Sequence, residues 1–240
     1  MLNLEICCKT DVGKKRTVNE DSMLVKQMGD IHLLAVADGL GGHAAGEVAS
    51  RVALVEIEEY LKTNLNEGNL QEAMERAIDK ANREVFLLSK ENSAYAGMCT
   101  TLVAALVSNN KVLIANVGDS RAYLIGNNIW HTTDHSLVQE LVARKVITEE
   151  EAVDHPQKNI VTRTLGAETE VSAEFYNEEL SGKTLLLCSD GLTDLLQDQE
   201  IKETIAASTN LEEACTKLID LANERGGKDN ITVVLARAKS

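Results

Sequence analysis

Four acidic residues stand where apolar runs of this 240-residue chain begin or stop, and two more lie in an early loop. Asp38 closes Leu33-Leu34-Ala35-Val36-Ala37 and is followed by Gly39, Leu40, Gly41, Gly42 and His43. Asp119 follows the run 112–117 and Gly118. Asp190 follows Leu185-Leu186-Leu187-Cys188-Ser189, and Asp229 comes just before Ile231-Thr232-Val233-Val234-Leu235. Glu20 and Asp21 lie in an early polar loop. A strand inside a sheet delivers the residue at its end to the rim, where rigid backbone meets a bendable loop. With antiparallel neighbours, the end of one strand lies beside the start of the next, so all six carboxylates can meet on one rim. At that density each raises the others' pKa, and cations are needed. Oxygen donors without clustered Cys or His select hard ions, Mg2+, Mn2+ or Ca2+. No EF-hand spacing is present, and carboxylates shared along a rim suit two ions, typically ~3.5–4 Å apart in hydrolases. Taken alone, Asp38-Gly39 reads as an ordinary turn; the other five acids give it chemistry.

The elements that must position these acids follow from periodicity. Alternation of Leu2, Leu4 and Ile6 predicts a first strand, 2–8. The polar, basic loop 10–21 leads to a second strand through Met23-Leu24-Val25. A turn at Gly29-Asp30 then leads to the strand that ends at Asp38, antiparallel to the second. Val48, Val52 and Val55 share one face of a helix that begins after Gly46 and ends by Gly68. Leu70, Ala73, Met74, Ala77, Ile78, Ala81, Val85 and Leu88 line a second helix, with Asn69 and Glu72 spaced as a capping box. Two hairpins follow, 100–107 with 112–117 and 122–125 with 129–132, which argues against a doubly wound parallel sheet. Residues 136–159 read as two short helices, the second capped by Thr148 and stopped at His155-Pro156, in a flap-like insertion. Strands are expected at 171–176, 184–188 and 231–237, with a helix on Leu211, Ala214, Cys215, Leu218, Ile219 and Ala222 between the last two. The economical reading is one α+β domain over residues 1–240, with antiparallel sheets covered by helices.

Composition narrows the function. With 38 acids against 24 Lys and Arg, the formal charge is −14, which disfavours nucleic acid and anionic membrane as partners. Apolar residues make up 44% of the chain and aromatics 3%, so the core is built of Ala, Val, Leu and Ile. No signal-peptide pattern is present, and no apolar stretch reaches the ~18 residues a membrane span needs. The five cysteines form no Cys-x-x-Cys pair and read as reduced. A cytoplasmic monomer is the expectation.

The ordered motifs Arg16-Thr17-Val18-Asn19-Glu20-Asp21, Asp38-Gly39-Leu40-Gly41-Gly42-His43, Gly118-Asp119-Ser120-Arg121, Asp134-His135-Ser136, Ser189-Asp190-Gly191-Leu192 and Asp229-Asn230-Ile231-Thr232 resemble those of the metal-dependent type 2C Ser/Thr protein phosphatases. The resemblance runs from about Cys8 to Val234 and is nearest to the compact bacterial members. Each motif is weak alone; six in order are specific. The resemblance implies a four-layer α-β-β-α sandwich of two antiparallel sheets and two Mn2+ or Mg2+ ions, with a third in bacterial relatives. It implies that Asp38 bridges the two ions, that the Gly39 carbonyl and Glu20 serve one, and that Asp190 and Asp229 serve the other. Asp21 stands behind them or acts through water, Asp119 with Asp190 holds the third ion, and Arg16 grips the substrate phosphate. Phosphorylated proteins and a cognate Ser/Thr kinase are the implied partners. Two departures are Cys99 where many members carry glycine-rich Gly-x-Gly-Thr-Thr, and Leu40 where eukaryotic members carry the histidine proposed as general acid; His43 does not replace it by position.

The expected reaction is direct hydrolysis of phosphoserine and phosphothreonine by a water held between the two ions. Arg16 neutralises phosphoryl oxygens, and a metal-bound water protonates the leaving group. No cysteine has an arginine six residues on, and no aspartate has another two residues on, so the thiol and aspartyl-phosphate phosphatase motifs are absent. Two other readings stay open at this point: an inactive metal-binding scaffold for phosphoproteins, and a phosphatase of small esters. Structural roles are favoured for His135, His32, His131, His155 and Trp130. For Arg163, rim support and substrate binding are equally weighted.

Overall fold

The central strands of this chain bury both faces, one against a second sheet and one against helices, and their continuous apolar runs follow from that. The computed structural model describes residues 3–41, 45–65 and 69–239. One sheet has the order β1 (Leu4–Asp11), β11 (Ile231–Ala238), β10 (Thr184–Cys188), β7 (Arg121–Ile125), β8 (Ile129–His131). The other has the order β2 (Asp21–Met28), β3 (Ile31–Leu40), β5 (Leu102–Ser108), β6 (Lys111–Val117), β9 (Glu174–Glu179), with the two-residue β4 (Cys99–Thr100) beside the end of β3. Every pairing is antiparallel.

Alternate residues of β3 show the layering. Leu34 and Val36 join Val103, Ala105, Leu185, Leu187 and Val234 in the core between the sheets. Leu33, Ala35 and Ala37 face outward onto α1 (Ala45–Asn64) and α2 (Leu70–Glu91), meeting Ala49, Ala53, Ile57, Met74, Ala77 and Ile78. Small alanines on both sides let helix and sheet approach closely. On the far side of the first sheet, Tyr123, Leu186, Cys188, Val233 and Leu235 pack on α6 (Asp198–Ala206) and α7 (Leu211–Glu224) through Ile201, Ile205, Ala214, Cys215 and Leu218. The layers are therefore α-β-β-α, as expected.

Several boundaries differ from expectation. β1 reaches Asp11 rather than stopping at Cys8; Leu2, Gly42, His43 and Gly68 lie outside the described residues. β3 does not stop at Asp38 but runs on to Leu40, because Gly39 and Leu40 pair with Thr100 and Cys99. The last strand of its sheet lies at Glu174–Glu179 rather than 171–176, since its register is set by β6, with Asn116 opposite Glu174 and Lys111 opposite Glu179. Val171 and Ala173 instead pack on the helix-side core. Glu174, Glu178 and Glu179 on that edge strand discourage pairing with another chain. The helix α6 and the short α5 (Asp190–Thr193) were not expected. Asn69 does cap α2 by accepting from Glu72 N, but Glu72 returns to the Asn69 side chain at 2.5 Å rather than to its backbone. Thr148 and Glu151 form the full capping box at α4 (Glu149–Val153), which with α3 (Leu137–Ala143) makes up the 136–159 segment.

The two ends of the strands differ. The tight turns at Gly29-Asp30, Asn109-Asn110, 126–128 and 181–183 lie at one end; Asn109 and Asn110 have φ of 45° and 69°. The acidic residues lie at the other.

Candidate active site

The rim on which these acids meet is shared by the two sheets. Asp21 and Asp38 sit opposite each other on β2 and β3. Asp190 begins α5 after β10 and Asp229 precedes β11, so both come from the facing sheet. Asp119 lies in the crossover from β6 to β7, which passes from one sheet to the other. Asp38, Asp119, Asp190 and Asp229 are half-buried, while Asp21 is buried.

The Asp21 Oδ2 accepts the hydroxyls of Ser189 at 2.7 Å and Thr232 at 2.6 Å, a tie across the two sheets. The Asp38 and Asp190 carboxyls, one from each sheet, lie close enough that the charge of Asp190 disfavours ionisation of Asp38. Loss of hydration, then the charges of Asp21, Asp190 and Asp119, push Asp38 well above the ordinary carboxylate range. Asp190 is raised in the same way, by burial and then by Asp119 and Asp229. Burial lifts Asp21 to about 6, against hydrogen bonds from Thr232 and Ser189 that lower it. Burial and then Asp134 lift Asp119 to about 6. Burial raises Glu20 despite Arg16.

These carboxyls are short of positive charge. Arg16 Nη2 bonds Asp229 Oδ2 at 2.7 Å with half of its side chain exposed. Among the described residues no three Asp, Glu, His or Cys side chains already form an ion cage, and Asp229 is paired with Arg16. Three buried carboxylate oxygens nevertheless lack any partner among the described residues: Glu20 Oε1, Asp21 Oδ1 and Asp190 Oδ1. A buried acceptor left unpaired costs roughly 1–3 kcal/mol. Hard oxygen donors, raised pKa values and orphaned acceptors on one rim fit divalent cations.

The backbone behind the rim is fixed by hydroxyls that sequence reasoning gave no role. Asp38 N donates to Thr101 Oγ1 at 3.0 Å, and Thr101 N and Thr100 Oγ1 donate to Asp38 O at 2.9 and 2.8 Å. Thr101 Oγ1 and Ser120 Oγ are 2.8 Å apart, which links the backbones at Asp38 and Asp119. Thr101→Val keeps the shape but strands the Asp38 N–H and the Ser120 hydroxyl. It is expected to destabilise the fold by about 1–3 kcal/mol in denaturant titration; a shift under ~0.5 kcal/mol would show the link to be incidental. Gly39 and Gly46 are required by close approach: a Cβ on Gly39 would stand 2.1 Å from Gly46 O, and one on Gly46 2.8 Å from Glu20 Cδ.

Asn230 is the other missed residue, although it stands inside a quoted motif. Its Nδ2 donates to Val12 O and Val18 O, both at 3.0 Å, and its Oδ1 accepts from Glu20 N at 2.8 Å. One buried amide thus folds the loop that carries Arg16 and Glu20. His135 is structural. Its ring Nδ1 accepts from Gly118 N at 3.0 Å, its backbone N–H donates to Gly118 O at 2.9 Å, and its ring Nε2 faces Glu174 at 3.2 Å. Arg163 contacts His135 and Ser172 O, apart from the carboxylates. Asp134 holds Arg121 through two 2.7 Å bonds. A cleft of about 650 Å3 runs from Asp119 and Asp190 between the 136–159 segment and α5, with Lys158 reaching Asp194 at 3.5 Å.

A four-layer sandwich whose two sheets meet at a rim of unneutralised carboxylates, with an arginine at its mouth, defines a metal-dependent phosphohydrolase of the α-β-β-α class. The chain belongs to the protein phosphatase 2C family, whose model matches residues 10–231, and is a metal-dependent protein Ser/Thr phosphatase. It is 41% identical to serine/threonine phosphatase stp of Listeria monocytogenes serotype 4b (strain F2365) over 234 residues, covering 95% of this chain and 93% of that one. It is 38% identical to protein phosphatase PhpP of Streptococcus pneumoniae serotype 2 (strain D39 / NCTC 7466), covering 97% and 96%. The crystal structure of serine/threonine phosphatase Stp1 from Staphylococcus aureus superposes with a TM-score of 0.93 at 38% identity, covering 100% of this chain and 96% of that one.

Proposed function

We propose that this chain removes phosphate from phosphoserine and phosphothreonine in proteins by direct attack of water, using two Mn2+ or Mg2+ ions with a third site beside them. The observation that carries the assignment is the set of unpartnered buried oxygens on Glu20, Asp21 and Asp190. Asp38 is assigned to both ions, Glu20 and the Gly39 carbonyl to one, and Asp190 and Asp229 to the other. Asp119 with Asp190 is assigned to the third, and Asp21, held by Ser189 and Thr232, stands behind the cluster. Bound ions supply the charge that lets water ionise near neutral pH and that offsets the phosphoryl charge.

The protein's own groups do the rest. Arg16 exchanges Asp229 for the substrate, its forked nitrogens matching two non-bridging phosphate oxygens. Its exposure leaves it free to turn. Asn230 holds its loop so that little ordering remains to be done on binding. Solvent at the half-exposed rim returns a proton to the departing serine or threonine oxygen, because His135 is occupied by Gly118 and Glu174. The 136–159 segment is the wall against which the protein substrate lies. No described helix is long and apolar enough to cross a membrane, and all five cysteines are free. The proposal extends to a monomer working in the cytoplasm against a Ser/Thr protein kinase.

Phosphate release from phosphothreonine peptides in Mn2+, in Mg2+ and in chelator tests the reading, with sugar phosphates at equal concentration beside them. Metal-dependent turnover that favours the peptides is expected. Turnover of the sugar phosphates alone would make this a small-ester phosphatase, and metal binding without turnover would make it a scaffold. Arg16→Ala is expected to lower kcat/KM for the peptides about 100-fold with Mn2+ affinity kept or improved, since Asp229 is then released. Unchanged kcat/KM would remove Arg16 from the phosphate.

A further inference from the structure

The rim repels anions until ions fill it, and the chain as a whole carries −14. One patch beside the rim has the opposite sign. Lys14 and Lys15 precede Arg16 on the loop between β1 and β2, and Lys228 precedes Asp229 on the loop before β11. The two loops are locked together: Lys14 N and Lys15 N both donate to Gly227 O, at 2.8 and 3.2 Å. Gly13, with φ of +77°, lies so near that a Cβ would stand 2.2 Å from Asp229 O. Asn230 fixes the loop at Val12 and Val18. The backbone is rigid, while the side chains of Lys14, Lys15 and Lys228 are exposed. Arg16 has Asp229 and Arg225 has Glu200, but among the described residues none of these three lysines makes an ion pair. Lys14 borders Asp11, Asp220 and Glu224 around a shallow hollow, so Lys15 and Lys228 carry the greater part of the unspent charge.

We propose that Lys15 and Lys228, helped by Lys14, form an anion-recognising ledge beside Arg16 that selects protein substrates with a second anionic group, carboxylate or phosphate, within a few residues of the target phosphoresidue. The proposal rests on the reading that Arg16 receives the phosphate of a protein. An extended peptide advances about 3.3 Å per residue, so residues flanking the phosphoresidue pass within reach of lysines next to Arg16. Lysine suits this role: a compact, hydrated point charge on a long stem accepts either anion without the fixed geometry of a guanidinium. A local cationic patch also reverses the field of an acidic protein where an anionic chain must land.

The test uses the full chain in Mn2+ at low salt with three phosphothreonine peptides: neutral flanks, glutamate flanks, and a second phosphothreonine two residues away. An aryl phosphate without a peptide is the control. The anionic peptides are expected to be favoured about three- to tenfold in kcat/KM, the scale of one or two exposed ion pairs, and 0.5 M salt to erase the preference. The paired change Lys15→Ala with Lys228→Ala should remove it and leave the aryl phosphate rate unchanged; Arg at both positions should restore it. The better of the two anionic peptides identifies the flanking group. Equal kcat/KM for neutral and anionic peptides, or a preference that survives the double Ala change, overturns the ledge while leaving the phosphatase reading intact. Cleavage of the aryl phosphate with no cleavage of any peptide overturns the protein-substrate reading and the ledge with it.

Discussion

Asp38→Asn is expected to lower kcat/KM toward a phosphothreonine peptide about 10²–10³-fold, the scale on which loss of one preorganised charge partner acts. The same change should leave the metal-free protein as stable as before, or more so. Both follow from one placement. Asp38 lies opposite Asp21 on the neighbouring strand and near Asp190 from the facing sheet. Burial and the charges of Asp21, Asp190 and Asp119 raise its pKa well above the ordinary value, so ionising it near neutral pH works against the metal-free fold. An amide of the same shape fills the same place and brings no charge. As the carboxylate assigned to two ions at once, it is also the group whose loss costs most once they are bound. Phosphate release and thermal unfolding in chelator are the two measurements. Activity within threefold of wild type would remove Asp38 from its assigned place, and a lower metal-free midpoint would contradict the like-charge account.

Chelation is expected to abolish phosphopeptide hydrolysis and to give the protein an inverted pH profile of stability. Asp21 and Asp119 titrate at about 6 in the folded chain against an ordinary value of 3.8. Between those values the folded state holds protons that the unfolded chain has lost. Stability of the metal-free form therefore falls as pH rises from about 4 through 6 and is regained on acidification. Divalent ions replace those protons as counter-charge. At 100 times its dissociation constant an ion contributes about 2.7 kcal/mol, or roughly 5–10 °C for a chain of this length. Melting scans from pH 4 to 8, with chelator and with Mn2+, measure both effects. Metal-free stability that rises with pH, or a midpoint indifferent to Mn2+ at pH 7.5, would contradict this account of the rim.

The acids that gather were legible in the sequence, because each follows or precedes an apolar run long enough to be a buried strand. How they gather was not. Asp21 meets Ser189 and Thr232, residues 168 and 211 positions away, and no local pattern announces partners at that range. Strand order alone did not say which strands share a sheet; that the crossover at Gly118-Asp119 moves from one sheet to the other depends on packing. The helix α7 was plain from its apolar stripe. α6 was hidden, since Ile201 and Ile205 are its only buried residues and its start is held by Glu200 accepting from Gln197 N, a cap without the usual Ser, Thr, Asp or Asn. β9 was misplaced because an edge strand takes its register from its neighbour while its own sequence is mostly acidic. Lys14 and Lys15 read as an ordinary basic loop until the contacts to Gly227 brought Lys228 beside them.

The separation of tight turns from chemistry along the strands has a practical consequence. The turns at Asn109-Asn110 and around Gly182 stand a strand's length from the rim, about 20 Å for six or seven residues. A fluorescent label or affinity handle joined there would leave the entrance clear and report on domain motion or binding without touching catalysis. The Gly118-Asp119-Ser120 crossover looks equally short in sequence, yet it would tolerate no such graft, because Thr101 and His135 already hold it from both sides.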